Sequence, residues 1–454
     1  MGADILALDV GTSGLKAGVF GPDLDERVAV SRSYQIRVAT DGGADVSPEA
    51  WWAAIVDACA EIRPQLDGVG VIALSVTTPG LTPMAADGRA LGPAILMLDG
   101  RAHEQAARIR MAVGEERFLA EACNLPVSGG SSLASILWIR DHQPDVWAAA
   151  AMFGHTNTYL AKRLTGEWAI DPSTTSITGL YATARNDLSW NEDVLDAAGI
   201  EASRLPRLMQ SFDPVGQILA GAADELGVPR DAVVLCGGND ASLAAWSGGL
   251  TEPGDANIIS GTTDIANVCT DRPLASRDFN VRAHVLPGRW LTFFVLNTGG
   301  AALDWFWRSF CREMSAVAFY SDYLPTTLAA FLADPDLDAR DDRLPRYVPY
   351  LSGSRYAVEP LTASFSGISL GTSRDDLLLG LVRGNLRYLG EHLEHVQTLI
   401  EVNHRVGISG GAARIEGMLA ARRRWTGEFD YVFQDQSSLL GAAMLGRVYQ
   451  DGAT

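Results

Sequence analysis

Four short clusters of glycine, hydroxyl and carboxylate residues hold most of the chemical potential of this 454-residue sequence. Asp9-Val10-Gly11-Thr12-Ser13 sets an acid at the end of an apolar run and two hydroxyls in a glycine turn. Ser260-Gly261-Thr262-Thr263 repeats that arrangement, and Gly410-Gly411 supplies a third glycine turn after another apolar run. Backbone N–H groups in such turns, together with hydroxyls, can surround phosphate oxygens. Taken singly each is also an ordinary tight connection, but two facing Gly-Thr turns could clasp one phosphate chain. Gly237-Gly238-Asn239-Asp240 places a carboxylate beside two glycines where a helical pattern begins. An acid there is ordinarily an N-cap. With a substrate close against the glycines, it could instead accept a hydroxyl proton while a phosphoryl group transfers in line.

Other chemistries fall away on residue type and spacing. The only lysines are Lys16, after Leu15, and Lys162, after Ala161, so neither completes the Gly-Lys-Ser/Thr of a P-loop. A protein-kinase pattern is missing too. Phosphates must then be held by glycine-turn amides, hydroxyls and a divalent cation. Glu391-His392-Leu393-Glu394-His395 has the wrong spacing for a zincin and reads as a solvated helix face. Asp334-Pro335-Asp336-Leu337-Asp338 begins like a calcium loop, but Ala339 stands where glycine is needed and Pro345 where the closing acid is needed. Asp334 to Arg346 reads as a surface loop.

The elements that must position these groups alternate between strand and helix, which implies α/β layers. Ile5 to Val10 and Leu15 to Phe20 flank the first turn as a hairpin, and the strand on either side of Ser260 to Thr263 repeats the plan. Two such hairpins, one opening each half, suggest duplicated halves around a cleft. Ser47-Pro48-Glu49 has the residue types of a helix start. Ser373 is expected to cap a long helix through Leu377 to Leu393, and a last helix to begin near Ser437-Ser438. The breaker Gly248 to Gly254 is expected as a linker between a 1–247 domain and a 255–454 domain.

A formal charge of -19 is the wrong sign for holding nucleic acid or an acidic membrane surface. Five scattered cysteines without a C-x-x-C pair argue against a disulfide framework and a structural zinc site. Neither an export signal nor an 18-residue apolar run is visible, so the cytoplasm is the expected compartment. Homodimerisation is no more than a base-rate expectation.

In their order along the chain, these motifs resemble the FGGY carbohydrate kinases, within the group of sugar kinases, Hsp70 and actin. The resemblance covers nearly the whole length. Asp9 to Lys16 is similar to the family's first phosphate motif, and Pro93 to Arg101 to its sugar-pocket strand. Tyr159 to Glu167, Asp171 onward and Leu188-Ser189-Trp190 form a characteristic middle block. Gly237 to Asp240 matches the segment bearing the catalytic aspartate, and Ser260 to Thr263 the second phosphate motif. Pro349 to Arg355, Phe365 to Ile368, Ser409 to Gly411 and Leu440 to Ala443 complete the order.

The resemblance implies an α/β fold of two duplicated actin-like, Hsp70-like (ribonuclease H-like) domains around a catalytic cleft. It also implies ATP and Mg²⁺ as cofactors, and a small sugar or polyol as substrate. Asp240 would be the base, and Asp9 would position the metal through water. Gly11, Thr12, Ser13, Lys16, Gly261, Thr262, Thr263, Gly410 and Gly411 would bind nucleotide. Thr78, Asp99, Arg101 and Asp240 would face the substrate. Where pentulose kinases carry a Gln-x-His segment, this chain has Thr77-Thr78-Pro79. Ser135 replaces a signature lysine, Arg383 and Ser354 stand where acids are common, and the Asn-Gln-Arg-Glu segment of glycerol kinases is absent. A ketose such as xylulose or ribulose, or a related polyol, is therefore expected over glycerol. The alternatives are a sugar acid as substrate, or a degenerate sugar-binding sensor.

Overall fold

A computed structural model describes residues 2–354 and 361–452. Arg355, at the end of one family-like motif, lies outside the described residues. The chain divides into two compact units: Met1–Gly248 with Asp271–Leu291 and Gln436–Thr454, and Gly249–Thr270 with Thr292–Asp435. This division departs from a single crossing at 248–254, because 271–291 and 436–454 return to the first unit.

The first unit is built on β1 (Asp4–Val10), β2 (Gly14–Phe20), β3 (Glu26–Ser33), β4 (Val69–Val76), β5 (Pro214–Gln217), β6 (Val233–Leu235) and the short β7 (Gly238–Asn239). Their order is β5-β6-β4-β1-β2-β3, with β7 also pairing with β4. The β1-β2-β3 meander is antiparallel, and β1, β4 and β6 run parallel. Every residue of β1 is buried, as expected of a central strand covered on both faces. Leu6, Leu8 and Val10 pack with Ile72, Leu74 and Val76 against Trp51, Trp52 and Ile55 of α1 (Pro48–Glu61). Ile5, Ala7, Val71 and Ala73 face the other way, toward Leu243 of α2 (Asp240–Ser247) and Leu439, Ala442 and Leu445 near the C-terminus. On that second face Asp9 and Ser75 are the polar interruptions. The expected cap at Ser47 makes no side-chain hydrogen bond; Pro48 at the first helical turn marks the start instead.

The second unit repeats the plan with β8 (Ala256–Ser260), β9 (Asp264–Thr270), β10 (Trp290–Leu296), β11 (Arg405–Ser409) and β12 (Asp430–Phe433). Their order is β10-β9-β8-β11-β12, with an antiparallel β8-β9 hairpin followed by parallel β11 and β12. This is the β3-β2-β1-β4-β6 order of the first unit, and so the expected duplication appears as sheet topology. The helices α3 (Gly300–Phe310), α4 (Arg374–Gln397) and α5 (Met418–Trp425) share one core through Phe306, Leu381 and Trp425. Ser373 caps α4 in a complete capping box with Asp376. The closing helix α6 (Ser438–Gly452) belongs to the first unit.

Two expectations are corrected. Asp334 to Arg346 is not loop throughout, because Leu337–Arg343 is helical and Arg340 pairs with Asp334. His392 does not lie on a solvated face: it is 3% exposed and stacks flat on Phe294 at 4.5 Å. Burial lowers its pKa to about 3 and keeps the ring neutral. All five cysteines are buried thiols, and no disulfide joins them among the described residues. Among the described residues no helix is long and apolar enough to cross a membrane.

Candidate active site

In the first unit, strand register brings the acids together. Asp9 sits opposite Ser75 across the β1-β4 ladder, and Ser75 in turn sits opposite Gly238, two residues before Asp240. The Asp9 carboxylate is 8% exposed and accepts two hydroxyl hydrogen bonds, from Ser75 (2.6 Å) and from Ser438 at the start of α6 (2.6 Å). The N-terminal end of a helix favours a nearby anion.

Asp240 is not the N-cap. Asn239 takes that place, accepting from the Ser242 N–H at 3.1 Å, and Asp240 is the first residue of α2. Its Oδ1 accepts from the Ala241 N–H (2.7 Å) and from Asn239 Nδ2 (3.0 Å). Its Oδ2 has no hydrogen bond among the described residues. Burial raises the Asp240 pKa from 3.8 to about 6, and the negative field of Asp9 adds to this; Arg282 and the two hydrogen bonds oppose it. A carboxyl poised there has the basicity of a proton acceptor near neutral pH.

Thr12 and Ser13 are exposed at the tip of the β1-β2 turn, which is closed by the Gly11 N–H donating to the Gly14 carbonyl at 2.9 Å. Thr12 Oγ1 lies 3.0 Å from Thr77 Oγ1. Lys16 is exposed opposite Asp9 in the hairpin register. Tyr34, which sequence reasoning did not single out, braces this turn: its hydroxyl donates to the Gly11 and Gly14 carbonyls, and its N–H donates to the Ser13 carbonyl. Burial, with Asp9 and Asp240 nearby, pushes its phenol above the ordinary range. A tyrosine one residue beyond β3 carries no spacing signal that could have exposed this role.

Asp99 and Arg101 are joined to each other rather than to Asp240. Asp99 is 3% exposed, and its oxygens accept from the Ala44 and Arg101 N–H groups and from the Arg101 guanidinium (2.6 Å to Nη2). Arg101 also stacks over Trp138 at 4.2 Å. Asp99 and the Trp138 ring thus fix the Arg101 side chain in place. Thr78 is buried, and its Oγ1 has no hydrogen-bond partner among the described residues.

In the second unit the glycine turns converge. The Gly300 N–H donates to the Gly261 carbonyl (2.8 Å) and the Ala301 N–H to the Thr262 carbonyl (3.1 Å), so the start of α3 holds the Ser260–Thr263 turn. Thr263 Oγ1 donates to the Asn297 carbonyl at 3.3 Å, while Thr262 is exposed. Gly410 adopts φ +94°, and a Cβ there would stand 2.1 Å from the Ser260 carbonyl oxygen. Only glycine allows that approach, which brings Gly410-Gly411 against the second turn. Gly299-Gly300 went unnoticed in the sequence, although a glycine doublet between strand and helix is the same signal as Gly410-Gly411.

Beneath these turns a narrow cavity is lined by Asp264, Gly299, Gly300, Asn385, Ala412 and Arg422, among others. Burial raises the Asp264 pKa to about 7 against the pull of Arg422 and the Gly261 N–H. Polar atoms of Asp264, Asn385 and Arg422 are buried there without a partner among the described residues. Among the described residues no cluster of three or more acidic, histidine or cysteine side chains could cage a metal. The acids still fit Mg²⁺, which usually binds one or two carboxylates plus substrate phosphates and keeps several waters.

Two units sharing one strand order, with a glycine-hydroxyl hairpin at the head of each, define a two-domain actin-like α/β fold of the kind found in sugar kinases. A ligand-bound xylulose kinase from Lactobacillus acidophilus superposes with a TM-score of 0.88 at 18% identity, over 99% of this chain and 90% of that one. The xylulose kinase of Staphylococcus xylosus is 23% identical over 450 residues, 98% of this chain and 90% of that protein. The autoinducer-2 kinase of Klebsiella pneumoniae is 28% identical over 331 residues, 69% of this chain and 60% of that protein. Residues 5–247 match the N-terminal domain of the FGGY family of carbohydrate kinases. The chain belongs to that family, whose members are ATP-dependent phosphotransferases acting on a sugar hydroxyl.

Proposed function

We propose that this kinase phosphorylates a hydroxyl of a ketose, a pentulose such as xylulose or ribulose being the leading case, or of a related polyol. Asp240 carries the reading, because its unoccupied Oδ2 and its pKa of about 6 suit a base that takes the hydroxyl proton as the phosphoryl group arrives. Thr12, Ser13, Lys16 and the Gly11 turn hold phosphate on the first unit, and Gly261, Thr262, Thr263, Gly410 and Gly411 hold nucleotide on the second. Asp9 would hold Mg²⁺ through water, and the ion would supply positive charge to offset that of the phosphates. Arg101, held by Asp99, and the unpartnered Thr78 hydroxyl are offered to substrate oxygens. The full-length likeness to xylulose kinases supports the pentulose.

A sugar acid is the second reading, favoured by the cationic Arg282 whose field reaches Asp240. A coupled ADP-release assay across D-xylulose, D-ribulose, glycerol, other polyols and gluconate tests both. The highest kcat/KM is expected with a pentulose. Preference for gluconate would select the second reading, and no ADP release with any compound would favour a sugar-binding sensor.

A further inference from the structure

We propose that Asp171 is a positioning residue for phosphoryl transfer, fixing both ends of the Gly237–Asn239 turn through Ser173 and Ser211 and so setting where Asp240 stands. The proposal rests on the reading of Asp240 as the base.

Asp171 is fully buried. Its Oδ2 accepts from the Ser173 N–H (2.8 Å), the Thr174 N–H (3.3 Å), the Ser173 hydroxyl and the Ser211 hydroxyl (3.0 Å). Its Oδ1 accepts from Asn157 Nδ2 at 3.1 Å. The two N–H bonds are those of an N-cap on the short helix Pro172–Thr175. A cap explains them but not the arrival of Asn157 and Ser211 from distant parts of the unit.

The outcome of that convergence lies one bond further on. An ionised carboxylate only accepts, so each hydroxyl facing it must donate. Ser173 Oγ, its proton committed to Asp171, is left as an acceptor and takes the Asn239 N–H at 2.9 Å. Ser211, anchored by its hydroxyl to the same oxygen, offers its carbonyl to the Gly237 N–H at 2.9 Å. Both ends of the turn thus hang from one buried charge, and Asp240 follows immediately. Space leaves the turn no slack either: a Cβ at Gly237 would meet the Leu74 carbonyl at 2.5 Å. A buried charge is costly unless it is fully hydrogen-bonded. A four-residue helix alone does not require one.

Ser173→Ala removes the link to Asn239 while leaving Asp171 and its cap bonds in place, and Asp171→Asn removes the charge that orients both hydroxyls. With D-xylulose and ATP, each variant is expected to lower kcat by about 10- to 100-fold, the loss associated with a misplaced reacting group, with the ATP KM within about twofold. The acid limb of kcat/KM is expected to move below pH 6, as a loosened Asp240 gains water. Independently of turnover, the ¹³Cγ signal of Asp240, assigned by its loss in Asp240→Asn, should titrate at lower pH in Ser173→Ala. Unchanged kcat and an unchanged Asp240 titration in Ser173→Ala would overturn the proposal. If Asp171→Asn does not fold, Ser211→Ala takes its place beside Ser173→Ala. Near-normal turnover in Asp240→Ala would instead remove the base assignment, and the carbon titration would still decide whether Asp171 positions that carboxyl.

Discussion

Asp240→Asn is expected to stabilise this protein while abolishing its turnover. The Asp240 pKa in the fold is about 6 against 3.8 for an ordinary carboxyl. The folded state therefore binds that proton more tightly than the unfolded chain does. Above pH 6 the residue is ionised in both states, and holding the charge where burial, and then Asp9, disfavour it costs the fold about 3 kcal/mol from the two-unit difference. Solvent screening at this partly open position reduces it to ~1–2 kcal/mol. Below about pH 4 both states are protonated and the cost disappears. Asparagine is neutral at every pH, and its Oδ1 can still accept from Ala241 and Asn239. The variant should gain ~1–2 kcal/mol at pH 7.5, roughly 2–8 °C in Tm for a unit of this size, and the gain should fade as pH drops from 6 to 4. Thermal denaturation of both proteins from pH 4 to 8, with ADP release measured in parallel, checks this. A variant less stable at pH 7.5, or one whose advantage does not change with pH, would refute the reasoning.

Wild-type kcat/KM should fall about tenfold per pH unit below pH 6 as Asp240 protonates, measured with D-xylulose at saturating ATP; a flat profile down to pH 5 would contradict the assignment. Asp9→Asn removes the like charge, so the Asp240 acid limb should shift to lower pH while the Mg²⁺ concentration for half-maximal activity rises at least about tenfold, read from a metal titration. Gly410→Ala forces a Cβ into the Ser260 carbonyl in a left-handed conformation that itself costs about 1–2 kcal/mol. The ATP KM should rise at least about tenfold with the sugar KM little changed.

Much of the framework was legible because it is local. Glycines that must sit where no Cβ fits, such as Gly410, and apolar runs such as Ile5 to Val10 announce turns and central strands without knowledge of their neighbours. The interleaving of the units was not legible. The apolar face of residues 439–445 predicts a buried helix but does not name Ile5 and Val71 as what it covers. Tyr34, and the partners of Asp171 within the middle block, escape for the same reason: Tyr34 bonds to Gly14, 20 residues away, and Asp171 to Ser211, 40 residues away. His392 was misread because charge and spacing suggested water, whereas Phe294 supplies an aromatic surface for it. Asp99 binds the Arg101 guanidinium, a pairing that the motif alone does not supply.

The bond from Ser438 to Asp9 spans 429 residues of chain. While the protein is being made, the first strand leaves the ribosome long before the helix that covers one of its faces. Ile5, Ala7, Val71 and Ala73 then wait with that face only partly covered, by Leu243 and its neighbours, until residues 438–452 emerge. Contacts of such separation form late, and the exposed apolar surface is an aggregation hazard in the interval. Synthesis that stalls before residue 438 would thus release a first unit that has its turns and acids but lacks both the helix that closes its core and the hydroxyl that holds Asp9.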